Sequence, residues 1–126
     1  MKTILVDAWN TFITQKGIHK EMQVLLDSFS NPKIIVTNAN ETERQDFGIV
    51  NMPYPVFSLA HTPNKTDPQY FSQLMESFSL TANELIYFEH NQEAVACAQS
   101  HGITTFWYHQ NSSNLAALEI FLKESI

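Results

Sequence analysis

Basic residues are scarce in this sequence, long apolar runs are missing and cysteine occurs once. Each shortage removes a class of function. Seven Lys and Arg stand against thirteen Asp and Glu, a net charge of −6 over 126 residues. Such a chain is poorly suited to neutralising the phosphates of a nucleic acid, and no basic cluster makes a local exception, so nucleic acid is not an expected partner. No apolar segment is long enough for a membrane span, or for a signal-peptide core behind a lysine. A membrane is therefore not expected, and the cytoplasm is the expected compartment. Cys97 alone cannot close an intramolecular disulfide. His19, His61, His101 and His109 show no metal-ligand spacing, and Arg44 is the only arginine. There is no internal repeat and no low-complexity segment.

The chain is 44% apolar, enough at this length for one proper core and too short for two, so residues 1–126 are read as one domain. Ile4, Leu5 and Val6 form a continuous apolar run that stops at Asp7, the pattern of a strand covered on both faces of a parallel sheet. In open α/β sheets ligands gather outside the carboxyl ends of the strands, which makes Asp7 the first candidate for a functional group. The competing reading is that Asp7 bonds the turn through Asn10 and Thr11.

Ile18, Met22, Leu25, Leu26 and Phe29 recur at helical spacing, and Asn31-Pro32 closes that helix. Lys33 to Asn38 repeats the first strand's design, which predicts Thr37 and Asn38 beside Asp7. Asn40 followed by Glu43 predicts a capped helix start, and Phe47-Gly48 its end. Residues 49–66 carry three of the five prolines and read as loop apart from a strand at Val56 to Ala60. Asp67-Pro68 is a strong helix start, followed by Tyr70, Phe71, Leu74, Met75 and Phe78 on one face. Leu85 to Phe88 reads as a fourth strand, Ala94 to Ser100 as a small-residue helix stopped by His101-Gly102, and Ile103 to Tyr108 as a fifth strand. Leu115, Leu118, Phe121 and Leu122 mark a closing helix. Strands alternating with helices imply βαβ units, a parallel sheet and right-handed crossovers.

Four polar signals fall at strand ends or helix starts: Asp7, then Thr37-Asn38, then Lys65 ahead of Asp67-Pro68, then Glu89-His90-Asn91. In order and context they resemble the motifs of the haloacid dehalogenase-like (HAD) hydrolases and phosphatases. In that family an Asp nucleophile opens an Asp-x-Asp-x-Thr signature, a second strand ends in Ser or Thr, and a Lys precedes a later helix. A further strand ends in acidic residues that hold magnesium. The resemblance covers nearly the whole chain. It implies a three-layer Rossmann-like α/β fold: a five-stranded parallel sheet in the order 3-2-1-4-5, helices on both faces and no cap domain. It also implies phosphate-ester chemistry, with Asp7 as nucleophile and Lys65 as the charge-stabilising cation. Thr37, Asn38 and Thr11 would contact the phosphate, and Mg2+ would be held by Asp7 and Glu89. The expected ligand is a small-molecule phosphate or anion, and an open cleft leaves room for a protein partner that supplies a lid.

Two positions depart from the family pattern. Trp9 stands where the acid/base Asp is expected, and an indole N–H cannot shuttle a proton. His90 occupies the usual acidic metal position, and magnesium prefers oxygen ligands to imidazole. Glu93, one turn later, is the nearest further acid. The dehalogenases of the family carry an aromatic residue two after the nucleophile and need no metal, and Asp7-Ala-Trp-Asn-Thr with Asn91 resembles that variant in part. Their halide-binding Arg has no counterpart here, because a single helix separates the first two motifs and Arg44 follows the second. Two readings follow, a capless hydrolase of phosphate esters or a catalytically degenerate binding protein. A Trp9 side chain filling the space between Asp7 and Glu89 would favour the second.

Overall fold

The computed structural model describes residues 1–109, 111–112 and 114–126. Its centre is β1 (Thr3–Asp7), buried along its whole length. It pairs in parallel with β4 (Lys33–Thr37) on one side and β6 (Leu85–Glu89) on the other. β5 (Val56–Ser58) adds outside β4 and β7 (Thr104–Trp107) outside β6, giving the order β5-β4-β1-β6-β7. Renumbered by the five sheet strands alone, this is the 3-2-1-4-5 order implied by the sequence resemblance.

Side chains alternate across a strand, so a sheet covered on both faces needs apolar residues at every position. Ile4, Val6, Ile35, Ile86 and Phe88 point to one face. There they meet Met22 and Leu26 of α1 (Lys20–Asp27) and Leu118 and Leu122 of α5 (Leu115–Ser125). Leu5, Ile34, Val36 and Tyr87 point to the other. They pack on Tyr70, Phe71 and Leu74 of α3 (Pro68–Phe78) and on Cys97 and Ala98 of α4 (Gln92–Ser100). Full burial of each large apolar side chain contributes about 1.5–3 kcal/mol, so both layers are held mainly by these contacts. The chain therefore has three layers, with no inserted cap among the described residues.

The helix starts follow local chemistry. Asp67 accepts from the Gln69 N–H ahead of Pro68, and Asn91 accepts from the N–H groups of Glu93 and Ala94. Asn40 and Glu43 form a reciprocal capping box on α2 (Glu41–Asp46). Gly48, at φ +75°, ends that helix by letting the Ile49 N–H return to Arg44 O at 2.7 Å.

Three segments differ from the sequence reading. Ile18 lies in a hairpin, β2 (Ile13–Thr14) with β3 (Gly17–Ile18), and pairs with Ile13, so the first helix starts only at Lys20. Apolar spacing alone cannot tell a residue at the head of a helix from one folded back just before it. The third sheet strand stops at Ser58 because Ala60 and His61 adopt positive φ, 52° and 67°. The fourth helix begins at Gln92 rather than Ala94, where the Asn91 cap sets it.

Candidate active site

Register brings the polar residues together. Asp7 lies across from Val36, so Thr37 stands one residue further along β4, and the pairing of Val6 with Phe88 puts Glu89 beside Asp7 on the other side. Three strand ends thus open on one mouth, where a parallel sheet commonly presents its ligand site. The fourth component arrives from the loop before α3. There the Lys65 backbone N–H donates to Asn38 Oδ1 at 2.7 Å, which ties the lysine to the end of β4.

Lys65 is 6% exposed, and its ammonium reaches Asp7 Oδ1 and Glu89 Oε1, both at 2.7 Å. Two buried carboxylates are thereby bridged by one buried cation. Asp7 Oδ2 accepts from Thr11 Oγ1 at 2.6 Å and from His90 Nδ1 at 2.5 Å, with the His90 backbone N–H at 3.3 Å. Glu89 Oε1 also accepts from the hydroxyl of Tyr87, two residues earlier on the same strand, and Oε2 accepts from the Asn91 N–H at 3.1 Å. Tyr70 donates to the carbonyls of Thr37 and Phe57 at 3.0 and 3.1 Å, joining α3 to the strand ends.

These contacts set the ionisation of the group. Burial pushes the Asp7 carboxyl up, but the Lys65 ammonium and His90 outweigh it and hold Asp7 well below the usual carboxylate range. Glu89 goes the other way: burial and the neighbouring Asp7 charge push it up to about 7, against the pull of Lys65. Burial would lower Lys65, yet the two carboxylates raise it above its ordinary value. His90 is lowered by burial but raised on balance by its hydrogen bond to Asp7. Asp7 is thus ionised at neutral pH, and Glu89 is the carboxyl nearest to carrying a proton.

A cavity of about 180 Å³ opens above this centre. Its wall includes Asp7, Thr37, Asn38, Lys65, Glu89 and His90, all singled out in the sequence. Thr11 is buried behind Asp7 and spends its hydroxyl there, outside the cavity wall. Glu93 sits exposed on the first turn of α4, also off the wall. Trp9 forms one side of the mouth, stacked on Phe47 with ring centroids 4.7 Å apart. What lies between Asp7 and Glu89 is the Lys65 ammonium, not the Trp9 indole. The volume falls below that of pockets for drug-sized ligands, roughly 300–1,000 Å³, and suits a small anion with few further atoms.

One contact on this wall was invisible to sequence reasoning. His61 Nε2 meets Glu43 Oε1 at 2.6 Å, and His61 Nδ1 lies 3.0 Å from Asn64 Oδ1. The Asn40–Glu43 spacing revealed the helix cap but not that the same carboxylate also holds a histidine from eighteen residues on. Nothing local in the proline-rich loop marks His61; only the fold brings it to α2.

No family model matches the sequence, and no curated protein matches it. Solved structures do. A HAD family enzyme from Bacteroides thetaiotaomicron, in complex with magnesium and inorganic phosphate, aligns with TM-score 0.70 at 11% identity, covering 85% of this chain and 93% of that one. The core domain of a candidate phosphoglycolate phosphatase from Streptococcus pneumoniae gives 0.63 at 16% identity, covering 98% and 96%. An uncharacterised protein from Listeria monocytogenes gives 0.65 at 12% identity, covering 98% and 99%. The chain has the HAD fold.

The magnesium of that first structure raises the question of whether this centre suits one. Asp7, Glu89 and His90 each offer a ligand atom, all within 4.8 Å of one another. The donor chemistry does not fit magnesium, however. Of the three candidate ligands one is an imidazole, which this ion disfavours. That imidazole also faces Asp7 as a hydrogen-bond donor, and the remaining carboxylate oxygens are engaged by Lys65, Tyr87 and Asn91.

Proposed function

We propose that this HAD-fold chain is a hydrolase of the phosphatase type, slow in turnover, acting on a small phosphate ester through Asp7. The observation that carries the reading is the Asp7–Lys65 pair at 2.7 Å, buried at the mouth of the sheet with Thr37 and Asn38 on the same wall. Of the Asp7 oxygens, Oδ2 is saturated by Thr11 and His90, whereas Oδ1 receives only Lys65 and keeps a lone-pair direction free. Oδ1 is therefore the attacking atom. It forms a bond to phosphorus as the bond to the ester oxygen breaks, leaving an aspartyl-phosphate; water then cleaves the new P–O bond and restores the carboxylate. Lys65 offsets charge on the phosphoryl oxygens throughout.

The departing oxygen needs a proton that Trp9 cannot supply, and loss of a general acid slows such a step by about 10²–10⁴-fold. Away from the Asp7 centre, His61 and Glu43 are the titratable groups on the described cavity wall. The hydrogen bond to Glu43 raises His61 above its ordinary value, and with both ring nitrogens held by Glu43 and Asn64, His61 is assigned as an impeded proton source, which keeps turnover slow. No described helix is long and apolar enough to cross a membrane.

A second reading, an anion-binding module without turnover, is favoured by the three donors crowded on Asp7 Oδ2. Hydrolysis of acetyl phosphate and p-nitrophenyl phosphate separates the two. The hydrolase reading expects slow turnover that disappears in Asp7→Asn. Inorganic phosphate bound with no turnover in the parent chain would assign it to the second reading.

A further inference from the structure

The donors around Asp7 disagree with the magnesium centre that the fold implies, and the disagreement traces to one side chain. We infer that His90 closes this centre to magnesium, so that the cleft takes a phosphate-sized anion with no metal between, and that His90→Asp opens a magnesium site.

The first support is the contact itself. His90 Nδ1 lies within hydrogen-bond reach of Asp7 Oδ2, and Asp7, ionised beside the Lys65 ammonium, can only accept, so the ring nitrogen is the donor. A ring nitrogen that carries the hydrogen has no lone pair to offer a cation. His90 therefore stands in the coordination space as a donor aimed at the oxygen a metal would need.

The second support is that every carboxylate oxygen of the cluster already accepts at least one hydrogen bond. Thr11 shares Asp7 Oδ2 with His90, Lys65 takes Asp7 Oδ1 and Glu89 Oε1, and Asn91 takes Glu89 Oε2. Magnesium sheds water reluctantly and demands near-octahedral oxygen ligation. Entering here, it would have to share these oxygens with the Lys65 ammonium and the His90 N–H, and among the described residues it finds no third carboxylate in the cluster.

The third support is that the backbone at position 90 is held without the imidazole. The Trp107 indole N–H donates to His90 O at 2.9 Å, and the His90 N–H faces Asp7. The ring itself is only partly buried. An aspartate at this position would replace the donor by oxygen acceptors while the strand end stays in place, and Lys65 would still bridge Asp7 and Glu89.

Isothermal titration of Mg2+ into the intact parent chain and into His90→Asp tests this, with circular dichroism melts showing that each is folded. The expected result is no saturable binding to the parent and saturable binding to His90→Asp that disappears when Asp7→Asn is added. If His90→Asp does not fold, His90→Asn, which brings an amide oxygen and no new charge, is titrated in its place with the same expectation at weaker affinity. Saturable Mg2+ binding to the parent that is lost in Asp7→Asn overturns the inference, and so does a folded variant that takes up none. Mn2+, which accepts imidazole as well as oxygen, gives an independent arm. Binding of Mn2+ to the parent that is lost in His90→Ala would make His90 a ligand and overturn it too.

Discussion

Replacing Lys65 by Met keeps the bulk and the apolar stem of the side chain and removes only the ammonium. Asp7 and Glu89 then face each other, 1% and 0% exposed, with no buried cation between them. Breaking a buried pair by removing one partner costs about 3–5 kcal/mol, a large part of the roughly 5–15 kcal/mol that a domain commonly has. With a urea slope of about 1–3 kcal/mol per molar, the unfolding midpoint at pH 8 should fall by about 2 M. The loss has a definite pH signature. Glu89 already lies near 7 through burial and Asp7, and without Lys65 it moves further up. A carboxyl raised in the folded state contributes stability that is full below its unfolded value, near 4.5, and disappears as pH rises through the folded value. The variant should therefore lose less at pH 5 than at pH 8, and Lys65→Met combined with Glu89→Gln should recover part of the loss by removing one charge. A midpoint at pH 8 corresponding to less than about 0.5 kcal/mol, the range of ordinary surface changes, would refute a desolvated bridge.

His61→Gln should slow hydrolysis of an alkyl phosphate by at least about 10²-fold while barely changing that of p-nitrophenyl phosphate, whose leaving group needs no proton. In the parent chain, alkyl-phosphate turnover should fall as pH rises through the value of His61, which the Glu43 contact sets above its ordinary one; the variant should lack that limb. Asn40→Ala removes the cap of α2 and should cost about 1 kcal/mol in urea unfolding. Because Glu43 is anchored by the same box, it should also lower the pH midpoint of His61 measured by NMR. Leu74→Ala, at a fully buried α3 position against the sheet, should cost about 2–5 kcal/mol and leave the binding of inorganic phosphate unchanged.

The parts of the fold that were legible in the sequence are those in which local pattern and global position agree. Apolar runs in β1, β4 and β6 end in polar residues because both faces are covered and the carboxyl ends are open, so the run and its stop are one signal. Asp67 and Asn40 announce their helices because capping is a local bond, whereas the Asn91 cap was missed and its helix was read two residues short. The Ile13–Ile18 pairing was not legible, since a two-residue hairpin leaves no periodicity. In the candidate site, Asp7, Thr37, Asn38, Glu89 and His90 could be named because each stands at a strand end, and Lys65 through its place in the loop ahead of the Asp67-Pro68 helix start. The partners that tune them could not. Tyr87 reads as a core strand residue, and its hydroxyl bond to Glu89 emerges only from which face of β6 meets the lysine. His61 and Phe47 reach the mouth through a turn of positive φ and through a stack on Trp9, contacts between segments that no spacing rule connects.

The central claim is that Asp7 Oδ1 becomes phosphorylated, and intact-protein mass spectrometry after incubation with acetyl phosphate tests it directly. The account predicts a single phosphoryl adduct, mapped to the peptide carrying Asp7 and absent from Asp7→Asn and from Lys65→Met. No adduct on a folded parent chain, or an adduct that survives in Asp7→Asn, would contradict it.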